Sequence, residues 1–568
     1  MQITINGKNI TAVEGKTVLE TARINGIDIP SLCYHSDLDI KANCRLCLIS
    51  VKGKRGLQTA CSTVVEPDME IETESAEINQ TRKTNLELLF AQYKKSLGAW
   101  DFNLELLRLA KKYQIDAQRF SDRKKHYPKY QFGPAVLFDT AKCIDCRNCV
   151  DACHQQSVDF LEVKEKETFF RVLPSQNKKT DCIYCGQCVA HCPVAALSAV
   201  GDFDKVARAL KQKNKIVVFE FAPSIRTSIG EEFNLPYGEV VTGKIVGALK
   251  ALGADKVFDT SVGADFTSTE EAKELIGKIQ AGKGACLSSC CPAWVKYVEF
   301  FHPEFVPCLA TTRSPQVILG GLVKTYFASK DRIDPKKIVV VSIMPCTAKK
   351  YEIRRKELEI NGLKPVDYVL TTRELAHLFR KHGIDLKNVK PEKADDPLGL
   401  PTGGGVIYGA SGGVAESALR SAYLMMTKTS LPKIEFAEVR GLQGIKKALI
   451  KIGERTIKMA VVNGIGNARI ILEELKKNPK AYDAVEVMAC PGGCIGGGGQ
   501  PVPTDGESRS KRASSLYEID AKEQKRIAHL NPVVEEVYRD YLTNEKIIKT
   551  VCHTKYAPKK REVNFKKI

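Results

Sequence analysis

At 568 residues the chain is too long for one hydrophobic core, and its length favours about three or four domains. Its 43% hydrophobic and 27% charged residues are those of an ordinary folded protein. No run approaches the roughly 20 apolar residues of a membrane span, so we expect no membrane partner. The net charge of +19 fits either a lysine-rich solvated surface or a docking face for an acidic protein. Nucleic-acid binding has little support, because the basic residues are dispersed and no recognition motif accompanies them.

The chain begins with MQITINGKNITAV, in which Asn6-Gly7 predicts a turn between two strands. This start has no basic segment followed by an apolar one and no twin arginine, so we expect no export and a cytoplasmic location. Because the cytosol keeps thiols reduced, the 20 cysteines are not expected to form disulfides. Twelve of them fall in three sets of four before residue 193, which indicates metal clusters instead.

The first set of cysteines lies in residues 1–78, which we expect to form a small β-grasp domain with short strands and one helix at about residues 17–25. A Cys-x10-Cys-x2-Cys-x13-Cys spacing favours a [2Fe–2S] cluster, and a four-cysteine zinc site is the alternative. The ligands would be Cys33, Cys44, Cys47 and Cys61.

Two further sets repeat the Cys-x2-Cys-x2-Cys-x3-Cys spacing of bacterial two-cluster ferredoxins, CIDCRNCVDAC at 143–153 and CIYCGQCVAHCP at 182–193. In that arrangement the fourth cysteine of each run crosses to the other cluster, and the tandem repeat argues strongly against zinc. We therefore expect a two-[4Fe–4S] domain over residues 131–202, after a helical spacer over residues 79–130. His154 and His191 flank cysteines and are expected to be surface or packing residues. One cluster is predicted on Cys143, Cys146, Cys149 and Cys192, and the other on Cys153, Cys182, Cys185 and Cys188.

Residues 203–505 alternate apolar strand-like runs, such as KIVVFEFA and KIVVVSIMPC, with helical segments. This alternation of strands and helices predicts parallel βαβ units. The stretch IKMAVVNGIGNARIILEEL resembles a dinucleotide-binding fingerprint, but Arg469 stands where the third glycine would be. A structural turn is therefore predicted there.

Three cysteine-bearing segments in this region follow predicted strands: LSSCCPAW at 287–294, MPCTAKKYE at 344–352 and MACPGGCIGGGGQP at 488–501. Adjacent Cys290 and Cys291 are not expected to ligate one metal together, because successive side chains diverge, so one should stay free. With Cys346, Cys490 and Cys494, four ligands suffice for another [4Fe–4S] cluster, and inert buried thiols are the alternative.

These segments resemble the three signature segments of the [FeFe]-hydrogenases, namely TSCCPxW, MPCxxKxxE and a Cys-x3-Cys in a glycine-rich stretch. The resemblance covers most of the chain, including residues 506–568, which are similar to a separate small subunit in some relatives. It implies a multidomain α/β and α+β chain with a two-lobed α/β domain that reversibly reduces protons to H2. It also implies an H-cluster, in which a [4Fe–4S] cube shares one cysteine with a diiron unit carrying CO, cyanide and a bridging dithiolate. The implied cube ligands are Cys291, Cys346, Cys490 and the bridging Cys494.

Further roles are implied by the same resemblance. Cys290 would be the last proton donor to the dithiolate, fed by a relay of Glu271 and Glu274, for which a solvated acidic helix face is the alternative. Lys349, three residues after Cys346 and so expected on the same helical face, would meet cyanide. Glycines 496–499 would let the cofactor approach the backbone. The pocket would also be lined by Pro223, Ser224, Gln316, Met344 and Met488, each with plain packing as the alternative.

The chain departs from the family pattern in three places. No cysteine lies between residues 62 and 142, where long relatives often carry a further cluster, so we expect the N-terminal domain to be mobile or partner-facing. Ala310 stands in the place of a relay hydroxyl, so the proton route is expected to use Thr311 or a water. Ser288 replaces a threonine, a mild change.

The resemblance also implies partners. The electron carrier would be an acidic ferredoxin or a similar protein, and maturation proteins would supply the diiron unit. The alternative is the catalytic subunit of an NAD(P)-linked or electron-bifurcating complex, whose nucleotide and flavin sites would lie on other chains. A hydrogen-sensing relative typically changes the free cysteine that Cys290 retains, and an iron–sulfur assembly relative would lack the first cluster or the complete three segments.

Overall fold

A computed structural model describes residues 1–91, 104–121, 127–166, 169–282, 284–429, 431, 433–562 and 566–567. The chain is a multidomain protein of mixed α/β class, as predicted, with ferredoxin-like domains ahead of a larger α/β region. Among the described residues, none of the helices is both long and apolar enough to cross a membrane.

The N-terminal part is a five-stranded sheet with the strand order β2-β1-β5-β3-β4. The predicted hairpin is present, with Asn6 and Gly7 at positive φ in its turn, and the predicted helix α1 begins after Thr17, which forms a capping box with Glu20. The elements are β1 (Gln2–Ile5), β2 (Lys8–Thr11), α1 (Val18–Ile24), β3 (Leu48–Val51), β4 (Gln58–Thr59) and β5 (Glu70–Glu72).

Two helices follow this sheet, α2 (Ala76–Ala91) and α3 (Leu104–Lys112). The fully buried Arg82 of α2 donates to the main-chain oxygens of Leu46 at 2.9 Å and Leu48 at 2.7 Å. These bonds fix α2 to the cysteine-bearing part of the first domain.

The ferredoxin-like part contains a small antiparallel sheet, a hairpin and two short helices that follow the cysteine runs. The helices begin next to Arg147 and Gly186, both of which have positive φ. The elements are β6 (Lys129–Phe132), β7 (Val136–Asp139), α4 (Asn148–Gln155), β8 (Leu161–Lys166), β9 (Phe169–Pro174), α5 (Gln187–Ala190) and β10 (Leu197–Ala199).

The first lobe of the large region is built on an all-parallel sheet, ordered β12-β11-β14-β15. The predicted βαβ strands are therefore confirmed, and helices cover the apolar sheet. The elements up to this sheet's last strand are α6 (Phe203–Leu210), β11 (Ile216–Phe221), α7 (Thr242–Ala251), β12 (Lys256–Asp259), α8 (Thr260–Gln280), β13 (Cys286–Leu287), α9 (Pro292–Phe301), α10 (Pro315–Leu322), α11 (Ala328–Lys330), β14 (Ile338–Met344), α12 (Lys349–Glu352) and β15 (Tyr368–Thr371).

The second lobe has the sheet order β13-β18-β17-β16, in which only β16 and β17 run antiparallel. Gly464 precedes α16 and turns the chain at a φ of 84°, and a Cβ on Gly466, inside the helix, would lie 2.4 Å from the Gln155 oxygen of the ferredoxin-like part. The glycine pair is thus a structural turn, as predicted. The elements after β15, up to this sheet's last strand, are α13 (Thr372–Lys381), α14 (Gly403–Val406), α15 (Gly413–Thr427), β16 (Ile445–Ile452), β17 (Arg455–Asn463), α16 (Ile465–Lys477) and β18 (Ala484–Met488).

The C-terminal segment packs across the large region and returns to the ferredoxin-like part. Its buried Arg512 pairs with Glu231 at 2.5 Å, and its last strand pairs with β6. The elements are α17 (Gly506–Lys522), α18 (Pro532–Asp540), α19 (Glu545–Cys552) and β19 (Lys566–Lys567).

Candidate functional site

A buried pocket of about 80 Å³ lies between the two lobes, where parallel strands from both sheets end. Strand β11 leads to Pro223, β14 to Cys346 and β18 to Cys490, while Cys290 and Cys291 follow β13. The carboxyl ends of parallel strands are the usual location of sites in such folds. The lining includes the predicted residues Pro223, Ser224, Cys290, Cys291, Gln316, Met344, Cys346, Lys349, Met488, Cys490 and Cys494.

Four of these cysteines face one another. Burial raises the pKa of Cys490 well above its ordinary value, and the negative charges of Cys346 and Cys291 raise it further. Burial likewise raises the pKa of Cys494, again with help from Cys346 and Cys291. Thiols that oppose one another's ionisation in this way become stable thiolates when a metal group takes their charge.

Two buried polar atoms in the same pocket, Ser224 Oγ and Gln316 Oε1, have no hydrogen-bond partner among the described residues. Buried polar atoms are normally paired, so these two are free to meet polar groups of a bound molecule. A four-sulfur set beside apolar walls and unpaired polar atoms fits a metal cluster that carries small polar ligands.

The predicted cation, Lys349, lines the pocket, but its position does not come from a helix shared with Cys346. Helix α12 begins at Lys349, so Cys346 lies outside it and the predicted helical face shared by Cys346 and Lys349 is absent. Lys349 Nζ donates to Glu352 Oε2 at 2.9 Å and to the Cys290 oxygen at 3.1 Å. Burial lowers the pKa of Lys349, but the Glu352 carboxylate outweighs it and raises the pKa overall, so the ammonium keeps its charge.

Cys290 stays protonated in this environment. Burial raises its pKa well above the usual value, followed by the charges of Glu271 and Cys291. Glu271 on α8 is itself buried, and burial, then the charges of Glu274 and Glu486, raises its pKa to about 8. The structure thus brings together a thiol and a carboxyl that both hold a proton at neutral pH.

Glu274 lies one turn further along α8, nearer to solvent. Its carboxylate accepts from the backbone N–H of Thr311 at 2.9 Å and from the hydroxyls of Thr311 and Thr312, both at 3.3 Å. Ala310 and Glu271 line a cavity of about 40 Å³, enough for a water by the usual measure of about 10–15 Å³. The space left by the missing hydroxyl is therefore available to a water.

Cysteines of the two ferredoxin-like runs lie close enough to affect one another's pKa. Burial raises the pKa of Cys146, and the charges of Cys192 and Cys143 raise it further. Burial also raises the pKa of Cys185 to about 12, and the first cysteine charge to add to it is that of Cys153. The fourth cysteine of each run therefore lies with the other run.

The Cys185 loop touches the pocket loops directly. Thr347 Oγ1 donates to the Tyr184 oxygen at 2.7 Å, and Gln187 Nε2 donates to the Gly496 oxygen at 3.0 Å. The charge of Cys346 is also close enough to raise the pKa of Cys185, after burial and Cys153. One ferredoxin-like cysteine set thus adjoins the four-cysteine pocket.

The glycine-rich stretch serves this contact. A Cβ on Gly498 would lie 2.5 Å from the Gly186 oxygen, and one on Gly497 would lie 2.2 Å from the Pro345 oxygen. For Gly498 the expectation of room for the cofactor is therefore corrected, because what approaches it is the backbone of Gly186, while for Gly497, which lines the pocket, it stays a prediction. Gly493 and Gly497 are the members of the stretch that line the pocket.

The first cysteine set also forms a compact group. The Cys33 and Cys44 thiols interact, as do those of Cys47 and Cys61, and the Cys44 N–H donates to Cys33 Sγ at 3.4 Å. Hydrogen bonding from Cys44 lowers the pKa of Cys33 to about 6.

This first domain is docked on the ferredoxin-like part. The His35 and His191 rings lie 4.3 Å apart, Gln155 Nε2 donates to the Asp37 oxygen at 2.8 Å, and Arg509 pairs with Asp37 at 2.6 Å. The charge of Cys33 adds to the raised pKa of Cys146, after burial, Cys192 and Cys143. These contacts fix the first domain on its neighbours, contrary to the expectation of a mobile domain, and its alternative role as a partner-facing domain stays a prediction.

Comparison with known proteins supplies the family. The chain is 39% identical to the NADP-reducing hydrogenase subunit HndD of Solidesulfovibrio fructosivorans, over 99% of each chain. The family model described as the iron only hydrogenase large subunit, C-terminal domain, matches residues 215–498. The chain belongs to the [FeFe]-hydrogenases.

Other parts of this [FeFe]-hydrogenase match too: a 2Fe-2S iron–sulfur cluster binding domain at 1–76, a 4Fe-4S dicluster domain at 142–196 and an iron hydrogenase small subunit at 506–559. It is 38% identical to iron hydrogenase 1 of Clostridium pasteurianum, over 98% of this chain and 99% of that one. The apo C377H variant of [FeFe]-hydrogenase HydA1 from Chlamydomonas reinhardtii matches with a TM-score of 0.56 and 34% identity, over 62% of this chain and 98% of that one.

These matches confirm the predicted family, the oxidoreductase activity on H2, and the cofactors. The [FeFe]-hydrogenase carries [2Fe–2S] and [4Fe–4S] clusters and an H-cluster. Which residue holds which cluster remains a prediction.

Sequence reasoning missed two residues at the pocket, one beside its lining and one in it. Glu352 holds Lys349 and accepts from Gln316 Nε2 at 2.5 Å, and the last position of MPCxxKxxE was its signal. Tyr408 lines the pocket and its hydroxyl accepts from Ser268 at 2.9 Å. It had no motif around it, since it comes from a distant part of the chain.

Proposed function

We propose that this [FeFe]-hydrogenase interconverts H2 plus oxidised ferredoxin with protons plus reduced ferredoxin. One observation carries the proposal: Cys290 and the four facing cysteines enclose a single buried pocket that adjoins the Cys185 loop on one side and Glu271 on the other. Electrons and protons would thus reach the pocket by separate routes.

The proposal divides the chain into a β-grasp [2Fe–2S] domain at 1–78, a helical spacer at 79–130, a two-[4Fe–4S] domain at 131–202, a two-lobed H-cluster domain at 203–505 and a small-subunit-like segment at 506–568. The [2Fe–2S] cluster would be held by Cys33, Cys44, Cys47 and Cys61. One [4Fe–4S] cluster would be held by Cys143, Cys146, Cys149 and Cys192, and the other by Cys153, Cys182, Cys185 and Cys188.

Cys291, Cys346, Cys490 and Cys494 would hold the cube of the H-cluster, with Cys494 as the bridge. When bound, this group supplies the iron site at which electrons and protons combine. The side chain of Lys349 would offer its charge to cyanide, and the unpaired Ser224 Oγ a hydrogen bond. The rest of the pocket lining would include Pro223, Met344, Met488 and Gln316.

The proposed order in which the clusters pass electrons rests on which cysteines lie close together. The charge of Cys33 acts on Cys146, and that of Cys346 acts on Cys185. The chain of clusters would therefore run from the [2Fe–2S] domain through the Cys146 cluster to the Cys185 cluster and the pocket.

Protons would pass from Glu274 to Glu271 and then to Cys290. Glu274 lies near solvent and is oriented by Thr311, while a water in the cavity beside Ala310 would contact Glu271. The pKa of Glu271, raised to about 8, suits a group that must both hold and release a proton near neutral pH.

A second function is favoured by one finding, the 99% mutual coverage with a subunit named NADP-reducing hydrogenase. In that case the chain would be the catalytic subunit of an NAD(P)-linked or bifurcating complex. A sensing role is disfavoured because Cys290 is retained, and an assembly role because all the cysteine sets are present. The cytoplasmic location stays a prediction.

The test uses the full chain, produced anaerobically with diiron maturation proteins. H2 evolution is measured with a reduced acidic ferredoxin at increasing salt, beside a small artificial donor. Because the net charge is +19, the ferredoxin-linked rate should fall with salt more steeply than the dye-linked rate. Activity with the artificial donor but none with ferredoxin would exclude ferredoxin as the electron carrier of this enzyme. NAD(P)H-linked activity that needs co-purifying chains would then establish the second function.

A further inference from the structure

A fully buried cation lies between the ferredoxin-like part and the catalytic region. Lys296 of α9 has no exposed surface, and its Nζ contacts Asp181 Oδ2 at 2.9 Å and Glu562 Oε2 at 3.0 Å. Asp181 is equally buried. Charges removed from water are costly unless they are paired, so this triad is a built feature of the interface.

The triad adjoins the cysteine set nearest the pocket. Asp181 precedes Cys182, and its Oδ1 accepts from the Cys182 N–H at 3.0 Å. Lys296 Nζ lies 5.2 Å from the ring centroid of Tyr184, which stands between Cys182 and Cys185. The charge of Asp181 also contributes to the raised pKa of Cys182, after burial, Cys185 and Cys153. Charges placed here therefore act on these sulfurs.

The third member comes from the end of the chain. The Glu562 N–H donates to Asp181 Oδ2 at 3.1 Å, and the Tyr351 hydroxyl donates to Glu562 Oε2 at 2.9 Å. The preceding Arg561 donates to the Ser175 oxygen at 2.7 Å. Burial raises the pKa of Glu562, but Lys296 and Tyr351 outweigh it and lower the pKa overall, so the carboxylate stays ionised.

We infer that Lys296 and Glu562 set, with opposite signs, the reduction potential of the [4Fe–4S] cluster held by Cys153, Cys182, Cys185 and Cys188. A reduced cluster is more negative than an oxidised one, so a nearby cation favours reduction and a nearby anion opposes it. The C-terminal tail would thereby adjust the last electron step before the pocket. This inference rests on the ligand set proposed above.

The sign of the effect separates tuning from mere structural support. If the triad only held two domains together, loss of either charge would loosen the same interface and shift the potential in the same direction. If it tunes the cluster, Lys296→Met and Glu562→Gln must act in opposite directions. Lys296→Arg keeps the cation and should restore the potential toward that of the wild type.

The experiment is a redox titration of the holoenzyme followed by electron paramagnetic resonance. We expect one [4Fe–4S] midpoint to move to more negative potential in Lys296→Met and to more positive potential in Glu562→Gln. The [2Fe–2S] midpoint should stay unchanged in both variants. Glu545→Gln is the matched control, because it removes a carboxylate from the same C-terminal segment at a side chain that is 79% exposed.

Glu562→Gln keeps the shape of the side chain, so it tests the inference even where Lys296→Met fails to fold. An unmoved midpoint in Glu562→Gln, or a shift of the same sign in both variants, would overturn the inference. A wrong ligand set would give a different result, because Cys182→Ser would then leave all [4Fe–4S] signals intact. If the ligand set is right and only the inference fails, Cys182→Ser removes one [4Fe–4S] signal, but the potential of that cluster does not move in Glu562→Gln.

Discussion

Glu352 accepts hydrogen bonds from both Lys349 and Gln316, at 2.9 Å and 2.5 Å, and so ties two pocket residues to one buried carboxylate. Groups that orient the residues around a metal group typically affect its binding or activity by about 10–100-fold. Glu352 therefore governs whether the Lys349 ammonium stays charged and directed into the pocket.

Glu352→Gln should lower the pKa of Lys349 and weaken retention of the diiron unit by about tenfold. The measurement is the intensity of the infrared CO and cyanide bands per protein after maturation. Glu359→Gln is the control, since Glu359 is exposed on the same segment. Wild-type band intensity in Glu352→Gln would show that Lys349 needs no carboxylate partner.

Cys290→Ala should keep the iron content and the infrared bands but lower turnover by about 100-fold or more, because a missing proton donor typically costs that much. The buried thiol holds its proton, so its removal interrupts delivery rather than cofactor binding. Cys308→Ala, at a half-buried cysteine outside the pocket, should leave turnover unchanged. Near-normal H2 evolution in Cys290→Ala would remove Cys290 from its role.

The pH dependence of turnover should report Glu271. Burial first, then Glu274 and Glu486, raises its pKa to about 8, so it can donate a proton below that pH and loses this ability above it. H2 evolution should decline as pH rises through about 8, and Glu271→Gln should be slow at every pH. Glu274→Gln removes a charge that raises the pKa of Glu271, so the decline should begin at lower pH. If both variants keep wild-type rates and profiles, protons enter elsewhere.

Stability should depend on pH through Glu220. Both its carboxyl oxygens are buried, and burial, opposed less strongly by Ser342 and Lys349, raises its pKa from 4.5 to about 8. The folded state therefore keeps a proton that the unfolded chain releases, so this contribution is complete below about pH 4.5 and is lost as pH rises to about 8. The loss is at most about 1.4 kcal/mol for each pH unit.

Glu220→Gln should remove this dependence. The unfolding temperature of the wild type should fall more between about pH 5 and pH 8 than that of the variant, measured by calorimetry under one set of salt conditions. Equal slopes for both proteins would mean that Glu220 finds a partner when the cofactors are bound.

Much of the site could be predicted because its ligands are set by short-range spacing. In the Cys-x2-Cys-x2-Cys-x3-Cys runs and the Cys-x3-Cys segment, the predicted metal ligands lie within about a dozen residues of one another. The parallel strands can be recognised as apolar runs. The docking of the first domain could not be predicted, since it depends on pairs such as Arg509 with Asp37, which are 472 residues apart. The role of Gly498 was misjudged for the same reason, because the backbone that approaches it belongs to the remote loop of Gly186.

Gly186 and Gly498 meet backbone to backbone across the boundary between the ferredoxin-like part and the catalytic region. Electron tunnelling weakens steeply with each added ångström. Because neither glycine has a Cβ, the ferredoxin-like part and the catalytic region can approach each other as closely as their backbones allow. Substitution of either glycine would leave every metal ligand in place and yet widen the gap that electrons must cross. On the proposed electron route, replacing either glycine should slow the enzyme although neither is a metal ligand, and a search for slow variants restricted to ligands would overlook them.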